Sequence, residues 1–275
     1  GEDTLRPEDI EALIAREGPS IALVMMPGVQ YRTGQVFDMA RITALAHQQG
    51  CIVGFDLAHA AGNLHLKLHD WGPDFAVWCN YKYLNSGPGA LAGCFVHERH
   101  AHAADLPRFA GWWGHHKQRR FLMEPEFQII PGAEGWQLSN PPIFGAAPLI
   151  ASYALFVEAG MARLRAKSET LTGYLQYLLD ELVADRVTVV TPRDPAQRGC
   201  QLSLRLHGGP AKAKAIFEEL SRRDVTTDWR EPDIIRVAPT PLYNSFQDVW
   251  EFVQILRTLT EEEVSVVPSP PSGSL

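Results

Sequence analysis

No apolar run in this sequence approaches the roughly 20 residues that cross a bilayer. Gly1-Glu2-Asp3-Thr4 has neither a basic nor an apolar leader character, so it does not read as a signal peptide. Positive charge is in deficit. Against 32 Asp and Glu stand 25 Lys and Arg, for a formal charge of −7, and no stretch gathers the basic residues that a nucleic-acid backbone or an acidic membrane requires. The four cysteines, Cys51, Cys79, Cys94 and Cys200, lie far apart with no CxxC pair. That spacing argues against a disulfide framework or a zinc site and predicts buried, reduced thiols in a cytoplasmic chain. Internal repeats are lacking too.

What is present is ordinary globular composition, 45% apolar and 21% charged over 275 residues. A chain of this length buries roughly three quarters of its unfolded surface. The first half alternates helical and extended patterns. Pro7-Glu8-Asp9 opens a helix that Gly18-Pro19 stops, and Ile21 to Met26 reads as a buried strand. Asp38 is a suitable N-cap for a helix through Ile42, Leu45 and Ala46 that ends at Gly50. Cys51 to Phe55, Phe75 to Cys79 and Leu91 to Val96 read as further strands. Together they predict an α/β fold with a mostly parallel sheet covered by helices.

From Asp105 to Pro142 both periods vanish, and a long aperiodic stretch rich in Trp, His, Gly and Pro is usually functional. Periodicity returns at Ile143, and Met161 to Val183 reads as one amphipathic helix. Short strands at Val187 to Val190, Gln201 to Leu206, Val225 to Trp229 and Ile234 to Val237, with helices at Ala211 to Leu220 and Phe246 to Leu259, describe a small α+β domain. The expected division is 1–160, 161–262 and a Pro/Ser-rich tail, 263–275, that composition predicts to be disordered.

Chemistry concentrates between Gly54 and Gly89. Asp56 and His59 follow one strand, and Tyr81, Lys82, Tyr83, Asn85 and Ser86 follow the next, ahead of Gly87-Pro88-Gly89. Ligands of open α/β sheets sit outside the carboxyl ends of strands, so Asp56 and Lys82 are expected to face one cleft. A lysine there can form a Schiff base with an aldehyde, and a carboxylate can keep a pyridine nitrogen protonated. These are the needs of pyridoxal phosphate. Taken singly, an Asp at a strand end is more often a helix cap, and a lysine in a Gly-rich loop is more often solvated.

Five blocks in order sharpen the reading: Asp56-x-x-His59; Tyr81-Lys82-Tyr83-Leu84-Asn85; Gly111-Trp112-Trp113-Gly114-His115; Leu138-Ser139-Asn140-Pro141-Pro142; and Ile235-Arg236-Val237-Ala238-Pro239. From about Ile21 to Leu259 the sequence resembles kynureninase, a homodimeric, pyridoxal-phosphate-dependent hydrolase of the aspartate-aminotransferase fold type I. The resemblance implies that the first domain is part of the cofactor-binding large domain and that L-kynurenine, or its 3-hydroxy form, is cleaved to an anthranilate and L-alanine. It implies Lys82 as the Schiff-base lysine, Asp56 as the partner of the pyridinium nitrogen, and His59 in support of the pocket. Tyr81 is implied in phosphate binding and acid/base work, and Arg236 as the clamp on the substrate carboxylate. Trp112 and Asn140 would reach the cofactor phosphate across the dimer interface, with His115 and Asn140 near the aryl end of the substrate. The Pro27-Gly28-Val29-Gln30-Tyr31-Arg32-Thr33-Gly34-Gln35 segment matches as well, with no role for Arg32.

The resemblance covers roughly the last two thirds of the family's chain. The family's phosphate loop, stacking aromatic and a further pocket acid have no counterpart in Gly1 to Ser20, and an exposed sheet edge and apolar surface are therefore expected. Other readings are a different enzyme of the same cofactor and fold, such as a cysteine desulfurase or aminotransferase, or a truncated chain that only associates with a partner. No cysteine lies in an obvious mobile Gly/Ser-rich loop, which a desulfurase needs. His97, His100 and His102, with His115 and His116, invite a metal site, but no HExxH spacing supports one, and a solvated helix face is expected for 97–102.

Overall fold

Pro7 at the first helical position, with Glu8 and Asp9 in the first turn, opens α1 (Pro7–Glu17) in the computed structural model, which describes residues 1–261. The expected tail, 263–275, lies outside the described residues. The chain divides into two units. The first comprises Leu5–Val29 and Phe37–Met161, and the second gathers Gly1–Thr4, Gln30–Val36 and the chain from Ala162 onward.

In the first unit β1 (Leu23–Pro27), β2 (Ile52–Asp56), β3 (Phe75–Trp78) and β4 (Gly93–Val96) form one sheet in that order. The first three strands are parallel and β4 runs antiparallel to β3. Asp38 caps α2 (Met39–Gln48), its carboxylate accepting from the Arg41 amide at 2.9 Å. Ile42 and Ala46 bury the inner side of α2, and Gly50 takes φ +81° to turn the chain back into β2. A one-turn helix, α3 (Leu68–Trp71), precedes β3. The stretch from Asp105 to Pro142 holds three-ten turns and a single β-bridge, His115 to Ile129. The unit ends with α4 (Ile143–Ala159).

The second unit has an antiparallel sheet ordered β5 (Val187–Val189), β6 (Leu202–Leu206), β8 (Ile234–Val237), β7 (Asp228–Arg230). α5 (Met161–Leu182), α6 (Pro210–Arg222) and α7 (Phe246–Glu261) close its core. Leu171, Leu202, Leu204, Ile216, Leu220, Val253 and Leu256 lose all contact with solvent. The strand expected from Val225 begins only at Asp228.

Two expectations need correction. Cys51 and Cys200 are buried and none of the four cysteines is in a disulfide, but Cys79 is half-buried and Cys94 exposed. Cys94 sits on the uncovered face of β4, so strand alternation carries it outward. Of the histidines of 97–102 only His102 is exposed, so the stretch is not a solvated helix face throughout. His97 is buried, its Nε2 donating to the His69 carbonyl at 3.3 Å, and His100 bonds the buried Asp74 carboxylate at 2.7 Å. Asp74 also takes His47 at 2.8 Å, Arg99 at 3.3 Å and the Val53 amide at 2.7 Å. Burial alone would raise this carboxyl's pKa. The bonds from His100, His47 and Val53 outweigh it and hold the group below the usual carboxylate range.

Candidate active site

Asp56 is the last residue of β2 and Lys82 lies four residues beyond β3, so parallel pairing carries both to the carboxyl edge of the sheet. The turn after β2 brings His59 back beneath the next loop. Lys82 Nζ donates to His59 Nε2 at 3.3 Å, which in a neutral imidazole leaves the proton on Nδ1. The His59 ring meets Tyr83 edge-on at 6.0 Å. Gly62, at φ +79°, makes the approach possible, because a Cβ there would lie 2.9 Å from the Tyr83 and Leu84 backbone. Asp56 is exposed and its carboxylate accepts from the Ala58 amide at 2.8 Å.

The loop bearing Tyr81 and Lys82 is held by a residue that sequence reasoning passed over. Asn80, fully buried, accepts from Trp78 Nε1 at 3.0 Å and the Tyr153 hydroxyl at 2.9 Å, and donates to the Leu91 carbonyl at 2.5 Å. Its own carbonyl takes the Ser86 amide at 2.9 Å. Ser152 on α4 also donates to the Leu84 carbonyl. The loop is thereby fixed to both β3 and α4. Tyr81 is half-exposed, and its bond with the Cys79 thiol pushes the phenol's pKa up, so the hydroxyl keeps its proton at neutral pH.

In the aperiodic segment the Trp112 and Asn140 blocks lie side by side. Gly111 approaches Leu138 so closely that a Cβ would meet its backbone at 2.3 Å, and Gly114 packs on the carbonyls of Gly135 and Gln137. Trp112 stays partly exposed against Phe121, and Asn140 is exposed. His115 is buried, stacked on Phe127 at 5.4 Å, with Nδ1 accepting from the Gln128 amide at 2.9 Å. Arg120, also buried, stacks on Trp113 at 4.5 Å and donates to the carbonyls of Trp113 and His115 at 3.0 and 2.9 Å. Asn140 stands just ahead of α4, whose Gly145 carbonyl accepts from Leu91 at 3.0 Å. Both blocks therefore connect to the loop that carries Lys82.

Arg236 belongs to the second unit. On β8 it donates to the Tyr31 carbonyl at 2.7 Å and pairs with Asp228 across the strand pair, with its side chain only 11% exposed. The Gln30–Val36 segment is bound into the same unit. Arg32 pairs with Asp233 at 2.9 Å, Arg205 with Asp233 at 2.7 Å and with Asp3 at 2.6 Å, and Ser203 donates to the Arg32 carbonyl at 2.6 Å. The Arg205 guanidinium lowers the pKa of Asp3. These pairs account for Arg32 as a structural tie.

The donors at the sheet edge suit a ligand that carries an aldehyde and a basic heterocycle. A half-buried primary amine sits against a histidine, and a carboxylate accompanies it on the adjacent strand.

Residues 164–256 match the family model of the kynureninase C-terminal domain. The chain is 64% identical over 257 residues to kynureninase of Myxococcus xanthus, which covers 94% of this chain and 60% of that protein. Against kynureninase of Xanthomonas euvesicatoria it is 63% identical over 245 residues, 89% of this chain and 58% of the relative. The chain thus spans about 60% of the length of the curated relatives it matches. Among solved structures, the cystine C–S lyase C-DES superposes with a TM-score of 0.75 at 21% identity, covering 90% of this chain and 64% of that one. The cysteine desulfurase CsdA of Escherichia coli gives 0.74 at 17% identity, with 92% and 62% coverage. These likenesses establish the fold, an α/β architecture shared with fold type I enzymes.

Proposed function

We propose that the chain belongs to the kynureninase family and is the part of a pyridoxal-phosphate-dependent hydrolase that carries the reactive lysine and the substrate-carboxylate arginine. The reaction is hydrolysis of L-kynurenine, or 3-hydroxykynurenine, to anthranilate or 3-hydroxyanthranilate and L-alanine, a step of tryptophan catabolism. The observation that carries this reading is the Lys82–His59 pair at the sheet edge of a chain 64% identical to a kynureninase.

Pyridoxal phosphate, when bound, supplies an electron sink for charge developing at the substrate's carbons. The residues of this chain do the rest. Lys82 would hold the cofactor through its aldehyde carbon and would move a proton to and from the substrate's Cα. His59 orients that amine. Asp56 keeps the cofactor ring nitrogen protonated, an anion favouring the charged form beside it. Tyr81, whose phenol keeps its proton, would hold the cofactor phosphate and donate to developing oxyanions. Arg236 binds the substrate carboxylate through the planar fork of its guanidinium, with Asp228 setting the fork's plane. Trp112 and Asn140 serve the phosphate across the interface of a homodimer, and His115 with Asn140 borders the aryl group. Water adds to the γ-carbonyl, the Cβ–Cγ bond breaks, the aryl acyl carbon departs as the carboxylic acid, and Cβ takes a proton to complete alanine. In this reading residues 1–160 are cofactor-domain sequence, residues 161–262 the small domain, and the enzyme works in the cytoplasm.

The test is a chimera in which this chain replaces the matching part of the Myxococcus xanthus kynureninase. Supplied with pyridoxal phosphate, it should release fluorescent anthranilate from L-kynurenine. A folded chimera that releases none would overturn the reading.

A further inference from the structure

A lysine side chain is long and rich in rotamers, so its amine is placed only as firmly as the backbone that bears it. Two residues ahead of Lys82 stands Asn80, sealed from solvent, with its amide engaged at both ends. Oδ1 accepts from Trp78 Nε1 at 3.0 Å and from the Tyr153 hydroxyl at 2.9 Å, while Nδ2 donates to the Leu91 carbonyl at 2.5 Å. These partners permit one orientation. Turned over, the amide would set its NH2 group against two donors and its oxygen against a carbonyl, with no water to relieve either.

The partners come from three places: β3, the lead into β4, and α4. Leu91, held by Nδ2, gives its own amide to the Gly145 carbonyl of α4 at 3.0 Å, and Ser152 of α4 donates to the Leu84 carbonyl. One helix thus grips the 80–91 stretch through Gly145, Ser152 and Tyr153. Within the stretch the Ser86 amide closes on the Asn80 carbonyl at 2.9 Å, and the Asn85 amide closes on that of Lys82 at 2.9 Å. Lys82 stands in this closed ring, from which Nζ reaches His59 at 3.3 Å. We propose that Asn80 and Tyr153 are positioning residues for Lys82: the Tyr153 hydroxyl fixes the Asn80 amide, the amide fixes the ring, and the ring sets where the amine stands. The assignment rests on the reading of Lys82 as the reactive amine. Placement is the whole of their effect, and a shift of about 1 Å in a reacting group can cost about a hundredfold in rate.

The experiment uses the 275-residue chain without cofactor or substrate. Trace acetylation with acetic anhydride, read lysine by lysine by mass spectrometry, reports the accessibility of the Lys82 amine, and amide exchange reports the order of residues 81–86. Tyr153→Phe removes one hydroxyl and no carbon. In it Lys82 should acetylate at least about threefold faster, and residues 81–86 should exchange at least about threefold faster, as the loss of one hydrogen bond implies. Asn80→Asp tests the amide itself. A protonated carboxyl can donate to the Leu91 carbonyl as the amide does, whereas a carboxylate only opposes that oxygen. Exchange of 81–86 in this variant should therefore match the parent's near about pH 5 and exceed it above about pH 7, burial raising the introduced acid's pKa. Ile42→Val, a core change on α2 of comparable cost in stability, should leave Lys82 labelling unchanged. In the chimera with Myxococcus xanthus kynureninase, Tyr153→Phe should lower kcat at least about threefold and leave KM within about twofold. Labelling or kcat equal to the parent's in Tyr153→Phe, the same labelling change in Ile42→Val, or an Asn80→Asp variant indifferent to pH would each overturn the proposal. Variants that shift Lys82 as expected, beside an unsubstituted chimera that yields no anthranilate, uphold the positioning and overturn the functional reading instead.

Discussion

The two units answer the same hydrophobic patterning differently. In the second, amphipathic helices close over the antiparallel sheet, and the large aliphatic side chains of β6, α6 and α7 are sealed from solvent. In the first, α2 seals one face of the parallel sheet while Leu23, Met25, Ile52 and Val77 remain on the other with no described residue burying them. An antiparallel sheet tolerates a wet face, but a parallel one does not. The contrast teaches that the half-exposed face of this sheet is the one that carries Asp56 at its carboxyl end.

Paired truncations break the comparison if it is false. Leu204→Ala, in the sealed core, should cost about 3–4 kcal/mol in urea unfolding of the second unit, whereas Met25→Ala on the open face should cost less than about 0.5 kcal/mol in the chain alone. Equal losses would show that the two surfaces are not different in kind. Asp74→Asn should destabilise the first unit by about 2–4 kcal/mol, because it leaves His47, His100 and Arg99 without their buried acceptor. The Asp74 pKa is lowered by folding, so its contribution is complete above the unfolded value near about pH 4 and is lost as pH falls through the folded one. Thermal melts of the parent should therefore decline in acid more steeply than those of Asp74→Asn. Gly62→Ala, at a positive φ and against the Tyr83 backbone, should cost about 1–2 kcal/mol. In the chimera it should also lower turnover, by parting Lys82 from His59, and unchanged turnover would sever the link between that close approach and the site.

Periodic elements were legible in the sequence because their signals are local. The Asp38 cap, the glycine stop at Gly50 and the long helix beginning at Met161 need only neighbours within a few residues. The pairing of Lys82 with His59 was half legible, since parallel strands carry residues beyond their ends to one edge. Asn80 was not, because a polar residue after an apolar strand looks like loop, and its partner Tyr153 arrives 73 residues later. His97 and His100 misled for the same reason, their partners, the His69 carbonyl and the Asp74 carboxylate, lying 28 and 26 residues earlier in the chain. Cys94 was misjudged because its burial depends on whether the second face of the sheet is covered, which no local pattern records.

The most direct measurement of the central claim is borohydride reduction of the chimera loaded with pyridoxal phosphate, followed by peptide mapping. The account predicts one pyridoxyl group per chain, on Lys82, lost in Lys82→Arg. Label spread over exposed lysines such as Lys67 and Lys117, or a single label elsewhere that persists in Lys82→Arg, would contradict it.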